Sequence, residues 1–182
     1  MSIKKDTFLK ALQVVSRILF ICICIEIGVF ILNTFFTLVI NLVDTNKFWA
    51  EVNLSELYNY NQSYFITVTS LMIIVALMRP VMFYIIVKIF HHKKLNQSQP
   101  FNETVRYFIL KIACLALGIG LFSLWGAKYT QNLVNQGVQL PDLQHLRLGG
   151  VDVWLFMAVI LFVIAQIFKK GIEIQNENDL TV

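Results

Sequence analysis

Four stretches of this chain are apolar for long enough to cross a membrane: about residues 18–43, 64–90, 107–128 and 151–168. A helix needs roughly 20 residues to traverse a hydrocarbon core of about 30 Å. Backbone in lipid must satisfy its own hydrogen bonds, and these runs lack the alternating polarity of barrel strands, so they read as helices. Composition agrees, because 57% of the 182 residues are hydrophobic and 14% are charged. A soluble domain carries about 25% charged residues. The expected fold is all-α: an integral membrane four-helix bundle forming a single membrane domain over residues 1–182. A cytosolic loop at 91–104 and a cytosolic tail at 169–182 complete it. Residues 2–17 suit either a short interfacial helix or an extension of the first span.

Charge sets the expected orientation. Lys4, Lys5, Lys10, Arg17, Lys88, Lys93, Lys94, Arg106, Lys111, Lys169 and Lys170 flank the N-terminus, the middle loop and the C-terminus. Lys47, Lys128 and Arg147 flank the other two loops, and Arg79 lies inside the second span. Positive residues stay inside, so both termini are expected in the cytosol of a bacterial cytoplasmic membrane protein. Trp49, Trp125 and Trp154 fall at the opposite boundary, where indole rings settle. The net charge of +4 then implies a lipid-bilayer partner with anionic headgroups, and no direct contact with nucleic acid.

Two charges sit where lipid makes them costly. Glu26 lies about 12 Å into the first span and Arg79 about 16 Å from the same face, at 1.5 Å per residue. The two spans are antiparallel neighbours, so an ion pair between them is expected. Asn33, Thr37 and Asn41 continue a polar stripe from Glu26. This interior either serves a ligand, ion or switch, or simply binds the bundle together. Pro80 is placed to kink the second span.

In the third span Ala113, Ala116, Gly120, Ser123 and Ala127 form one small-residue face. It favours close packing within the chain, with a homodimer through Ala116 and Gly120 as the alternative. Asn102 and Glu103 open this helix as N-cap and first-turn acid, and Asp152 is a candidate cap for the fourth. Cys22, Cys24 and Cys114 lie inside spans, where packing is their expected role. His91, His92 and His145 have no metal-ligand spacing, so no metal or cofactor is expected. No nucleophile set or phosphate loop is present either, and the chain does not read as an enzyme.

The ending "IFKKGIEIQNENDLTV" crowds Glu173, Glu177 and Asp179 at a helix C-terminus, where the dipole disfavours anions. Contact with a partner or with the protein's own inner loop would offset this, and a solvated tail is the alternative. Phe168, Lys169, Lys170, Gly171, Glu173, Glu177, Asn178, Asp179, Leu180 and Thr181 resemble the C-terminal signature of an uncharacterised bacterial membrane family, domain of unknown function 2975. "PFNETVRYFILKIA", with Phe101, Val105 and Arg106, is similar to the family's stretch leading into the third span. Asn102 and Thr104 depart from the family's more acidic or amide residues, and the glycine common before Phe101 is missing.

The resemblance implies a four-helix membrane protein without established activity. It also implies a neighbouring gene for a small helix-turn-helix regulator. The leading expectation is therefore a regulatory membrane partner of a cytosolic helix-turn-helix DNA-binding protein. Phe101, Arg106 and the tail residues Lys169, Lys170, Gly171, Glu173, Glu177, Asn178, Asp179 and Leu180 would form its docking face. The alternative is a small transporter, channel or immunity-type protein working through Glu26 and Arg79.

Overall fold

The computed structural model describes residues 2–40, 54–91 and 101–180. Its elements are α1 (Ser2–Ile40), α2 (Ser55–Tyr60), α3 (Gln62–His91), α4 (Glu103–Asn135) and α5 (Val151–Leu180). The described residues contain no strand, and the all-α expectation holds. All but α2 are long and apolar enough to cross a membrane. Each outruns the apolar stretch read from the sequence. Residues 2–17 extend α1 without a break instead of forming a separate interfacial helix, and α5 carries on through the tail.

α1 packs on α3, α3 on α4, and α4 on α5. On α1 the buried positions Ser16, Ile27, Phe30 and Thr34 share one narrow seam. The rest of this helix stays apolar yet exposed, as at Ile25, Val29, Leu32 and Phe35. Such a surface is stable only against hydrocarbon. Thr34 Oγ1 donates to the Phe30 carbonyl at 3.0 Å, which satisfies a hydroxyl that the seam withdraws from any solvent.

The small-residue face of α4 is covered within the chain. Ala113, Ala116, Gly120 and Ser123 are buried, and a Cβ on Gly120 would stand 2.7 Å from Leu155 Cδ2 and 3.3 Å from its backbone nitrogen. α5 therefore occupies the surface that a second copy would have used. The three cysteines depart from expectation: Cys22, Cys24 and Cys114 are exposed, facing away from the neighbouring helices.

Both ends of α4 follow local rules. At its start the Asn102 side chain accepts from Val105 N–H at 2.8 Å, as its position predicts. At its end Val138 N–H donates to the Leu133 carbonyl at 3.2 Å and Gly137 N–H to that of Val134 at 2.9 Å. Gly137 takes φ +91°, the left-handed conformation that this closure requires.

The α4–α5 connection decides the shape of the far end, opposite the lysine-rich one. Because Gly120 meets Leu155, α4 runs fifteen residues past the contact, roughly 22 Å, whereas α5 extends back only four, roughly 6 Å. Residues 136–150 fill the difference of about 16 Å by folding down the side of α4. Val138, Leu146 and Leu148 are buried there with Leu54, which precedes α2, Leu57 of α2, Phe65, Val68, Met72 and Val75 of α3, and Ile119 and Leu133 of α4. This is the principal buried core. Only the Val138, Leu146 and Leu148 side of this irregular segment is enclosed by protein, and seven of its fifteen residues are exposed. Helix α5 starts at Val151, which places Asp152 in its first turn and Gly150, at φ +75°, in the preceding position. Asp152 thus lies two residues past the N-cap position at Gly150 and serves as a first-turn acid instead of the expected cap.

Candidate functional site

Glu26 and Arg79 do approach one another, through a third residue. The carboxylate of Glu26 pairs with the Arg147 guanidinium, from the folded-down connection. Arg79 turns instead to the backbone of that residue, donating from Nη2 to the Arg147 carbonyl at 3.0 Å. Its guanidinium carbon also stands 6.0 Å from the centroid of the Trp154 ring, within cation–π range. The direct Glu26–Arg79 pair is therefore replaced by a node in which α1, α3, the connection and α5 all meet.

Arg147 reaches both partners because of an uncommon backbone. Leu148 N–H donates to the Leu143 carbonyl and Arg147 N–H to that of Gln144, each at 3.0 Å. This repeats the closure at the end of α4, with Arg147 in the place of Gly137. Arg147 adopts φ +59°, a conformation costing roughly 1–2 kcal/mol in a residue with a Cβ. Glycine would relieve that strain but supply no charge. Leu146 and Leu148, both fully buried, anchor the turn on either side and aim the arginine away from the core. Strain of this kind persists where surrounding contacts over-determine it.

Depth makes the node consequential. Arg17 and Lys88 each lie nine residues from Glu26 and Arg79 respectively, about 14 Å along their helices. That is near the middle of a hydrocarbon core of about 30 Å. The side chain of Glu26 is 50% exposed and that of Arg147 is 24% exposed, so this pair faces outward from the seam. Arg79 Nε, by contrast, is buried without a hydrogen-bond partner, and so is Ser123 Oγ. Of the predicted stripe, Asn33 is half-buried on α1; the side chain of Thr37 and the whole of Asn41 lie outside the described residues.

The sequence misses Arg147 and Trp154 as members of this centre. A signal for Arg147 exists in "HLRLGG", where alternating leucines straddle the charge and therefore bury away from it. Trp154 was expected at a membrane boundary but is drawn under Arg79, whereas Trp125 is 61% exposed. Trp49 lies outside the described residues.

The predicted docking residues gather at the lysine-rich end. Phe101 packs edge-on against Phe168 with centroids 5.4 Å apart, and a Cβ on Gly171 would stand 2.5 Å from the Phe101 ring. The two family-like segments thus clasp each other. Arg106 is engaged on its own helix, 3.1 Å from Glu103 and over the Tyr107 ring at 5.6 Å. Along α5, Lys169 and Glu173 approach to 3.9 Å on the exposed face, a weak pair. Lys170, Glu177 and Asn178 are exposed beside them, and the side chains of Asp179 and Leu180 lie outside the described residues.

Searches of curated proteins and of solved structures find no match to this chain. A family model does match, over a stretch that includes Arg79, Arg147, Trp154 and the whole Phe101–Phe168–Gly171 clasp, with Glu26 lying ahead of it. Because that match runs over residues 49–182, well over half of its length, the chain belongs to the family described as a protein of unknown function, DUF2975.

Proposed function

We propose that this multi-pass membrane protein is a non-enzymatic regulatory partner of a cytosolic helix-turn-helix DNA-binding protein, with both termini in the cytosol of a bacterial cytoplasmic membrane. The observation that carries the reading is the course of α5, which continues past Lys170 to Leu180 as unbroken helix. Its exposed residues Lys169, Lys170, Glu173, Glu177 and Asn178 form a rigid polar surface. The Phe101 clasp steadies that surface at its root. A pre-ordered helix loses less entropy on binding than a disordered tail does. The basic residues at this end support its cytosolic placement.

Crosslinking in native membranes tests the reading. The full chain is compared with a full-length variant carrying Lys169→Gln, Lys170→Gln, Glu173→Gln and Glu177→Gln, at equal membrane levels. Capture of a helix-turn-helix protein by the first and not the second supports docking. Equal capture, or none, removes it.

The charged node favours a second reading, a small transporter or channel. A buried Arg79 Nε without a partner, beside an ion pair at mid-depth, is the arrangement expected along an ion or solute path. Flux into vesicles containing the purified protein would fall sharply on Glu26→Gln under this reading. An unchanged flux would leave the node a purely structural one.

A further inference from the structure

At the lysine-rich end α3 and α4 diverge around a groove of about 550 Å³, lined by Tyr84, Ile85, Lys88 and Ile89 from α3 and by Thr104, Tyr107, Phe108 and Lys111 from α4. The lining is divided by chemistry. Lys88 and Lys111 bring one ammonium from each helix, and no acidic residue is among the described residues that line the groove. The nearest carboxylate in sequence, Glu103, is held by Arg106 at 3.1 Å. Ile85, Ile89 and Phe108 supply apolar walls, and Thr104 adds a hydroxyl in the first turn of α4.

Among the described residues, neither cation pairs with a carboxylate. Lys88 lies 5.9 Å from the centroid of the Tyr84 ring, a contact that orients the ammonium and leaves its charge intact. Tyr84 and Tyr107 are 52% and 56% exposed, the amphipathic side chains expected where hydrocarbon gives way to headgroups. Lys88 and Lys111 are long enough to reach that level from inside the span. Two cations without a described carboxylate partner therefore stand over an apolar cleft, at the depth where a phosphodiester meets its acyl chains.

From this geometry we infer that the α3–α4 groove is a binding site for an anionic phospholipid, its phosphate held between Lys88 and Lys111 and an acyl chain lying along Ile85, Ile89 and Phe108. The apolar walls select a lipid over a free anion, and the paired ammonium groups select an anionic lipid over a zwitterionic one. Thr104 and the tyrosine hydroxyls are placed to bond the glycerol or phosphate oxygens. The site is independent of the docking reading and of the charged node, since none of its lining residues belongs to either.

Native mass spectrometry of the purified full-length protein in mild detergent tests this directly. Phosphatidylglycerol, phosphatidylcholine with the same acyl chains, and glycerol 1-phosphate are each titrated in turn. A basic residue at a membrane surface strengthens anionic-lipid binding about fivefold, so Lys88→Gln with Lys111→Gln should weaken phosphatidylglycerol retention about 25-fold. Lys169→Gln with Lys170→Gln removes the same charge outside the groove and should change retention less than about twofold, because the attraction falls off within a Debye length of about 10 Å. Lys88→Arg with Lys111→Arg should retain the lipid, which separates loss of charge from loss of fold. Equal losses in both glutamine variants would reduce the effect to diffuse charge and overturn the site. Equal retention of the two lipids would overturn it as well, and glycerol 1-phosphate binding as tightly as the lipid would make it a free-phosphate site instead.

Discussion

Gly171→Ala is the perturbation that most sharply tests the clasp at the lysine-rich end. A Cβ there would lie 2.5, 2.7 and 2.8 Å from three atoms of the Phe101 ring. Ordinary carbon contacts stand at about 3.5–4.0 Å, so the ring would have to retreat by about 1 Å. Phe101 immediately precedes the α4 cap and sits 36% exposed, so it has room to swing out. That escape limits the penalty to the Phe101–Phe168 contact, about 0.5–1.5 kcal/mol for an aromatic pair. Against this, alanine inside a helix is about 1 kcal/mol more favourable than glycine. The two effects nearly cancel in the native background, and a single measurement would mislead. In a Phe101→Ala background the steric penalty disappears and the helical gain remains, so Gly171→Ala should stabilise by about 1 kcal/mol. Reversible unfolding of the four purified proteins in mixed micelles gives the coupling directly, with an expected value of about 1 kcal/mol. A coupling below about 0.3 kcal/mol, with equal stabilisation in both backgrounds, would show that the ring does not rest on Gly171.

Three further outcomes are expected. Arg147→Gly and Arg147→Ala both delete the guanidinium, but at φ +59° the glycine variant should be more stable by about 1 kcal/mol in the same unfolding assay. Equal stabilities would remove the left-handed turn. Asn102→Ala should cost about 1 kcal/mol through loss of the α4 cap, while Asn102→Asp should keep most of it, as read by helix unfolding. Gly120→Leu should disrupt α4–α5 packing and lower the melting temperature measurably, because it meets both the side chain and the backbone of Leu155. Gly118→Ala meets only the flexible end of Met78 and should be tolerated; comparable losses at both sites would contradict the packing.

The helical class, the four spans and the Asn102 cap were legible in the residues alone. A membrane span is dictated by length and apolar content, and a cap by its immediate neighbours, so both are local. The resemblance of the tail and of the stretch leading into α4 to one family was legible as well, and the family match now covers both. Glu26 and Arg79 stood out for a simple reason: a charge inside an apolar run is costly wherever the helix is placed.

Which groups those charges would meet was decided only in three dimensions. Glu26 and Arg147 are 121 residues apart, and they pair because the α4–α5 connection folds down the bundle and turns through a left-handed arginine. The same fold draws Trp154 beneath Arg79 and leaves the cysteines facing outward. No local pattern encodes this. In lipid the hydrocarbon is as apolar as a neighbouring helix, so hydrophobicity says that a segment is in the membrane and little about what it touches. Register comes instead from close approaches at small residues, such as Gly120 on Leu155 and Gly171 on Phe101, and from polar groups that must find one another. The sequence by itself therefore determined what crosses the membrane, and the tertiary structure determined what meets inside it.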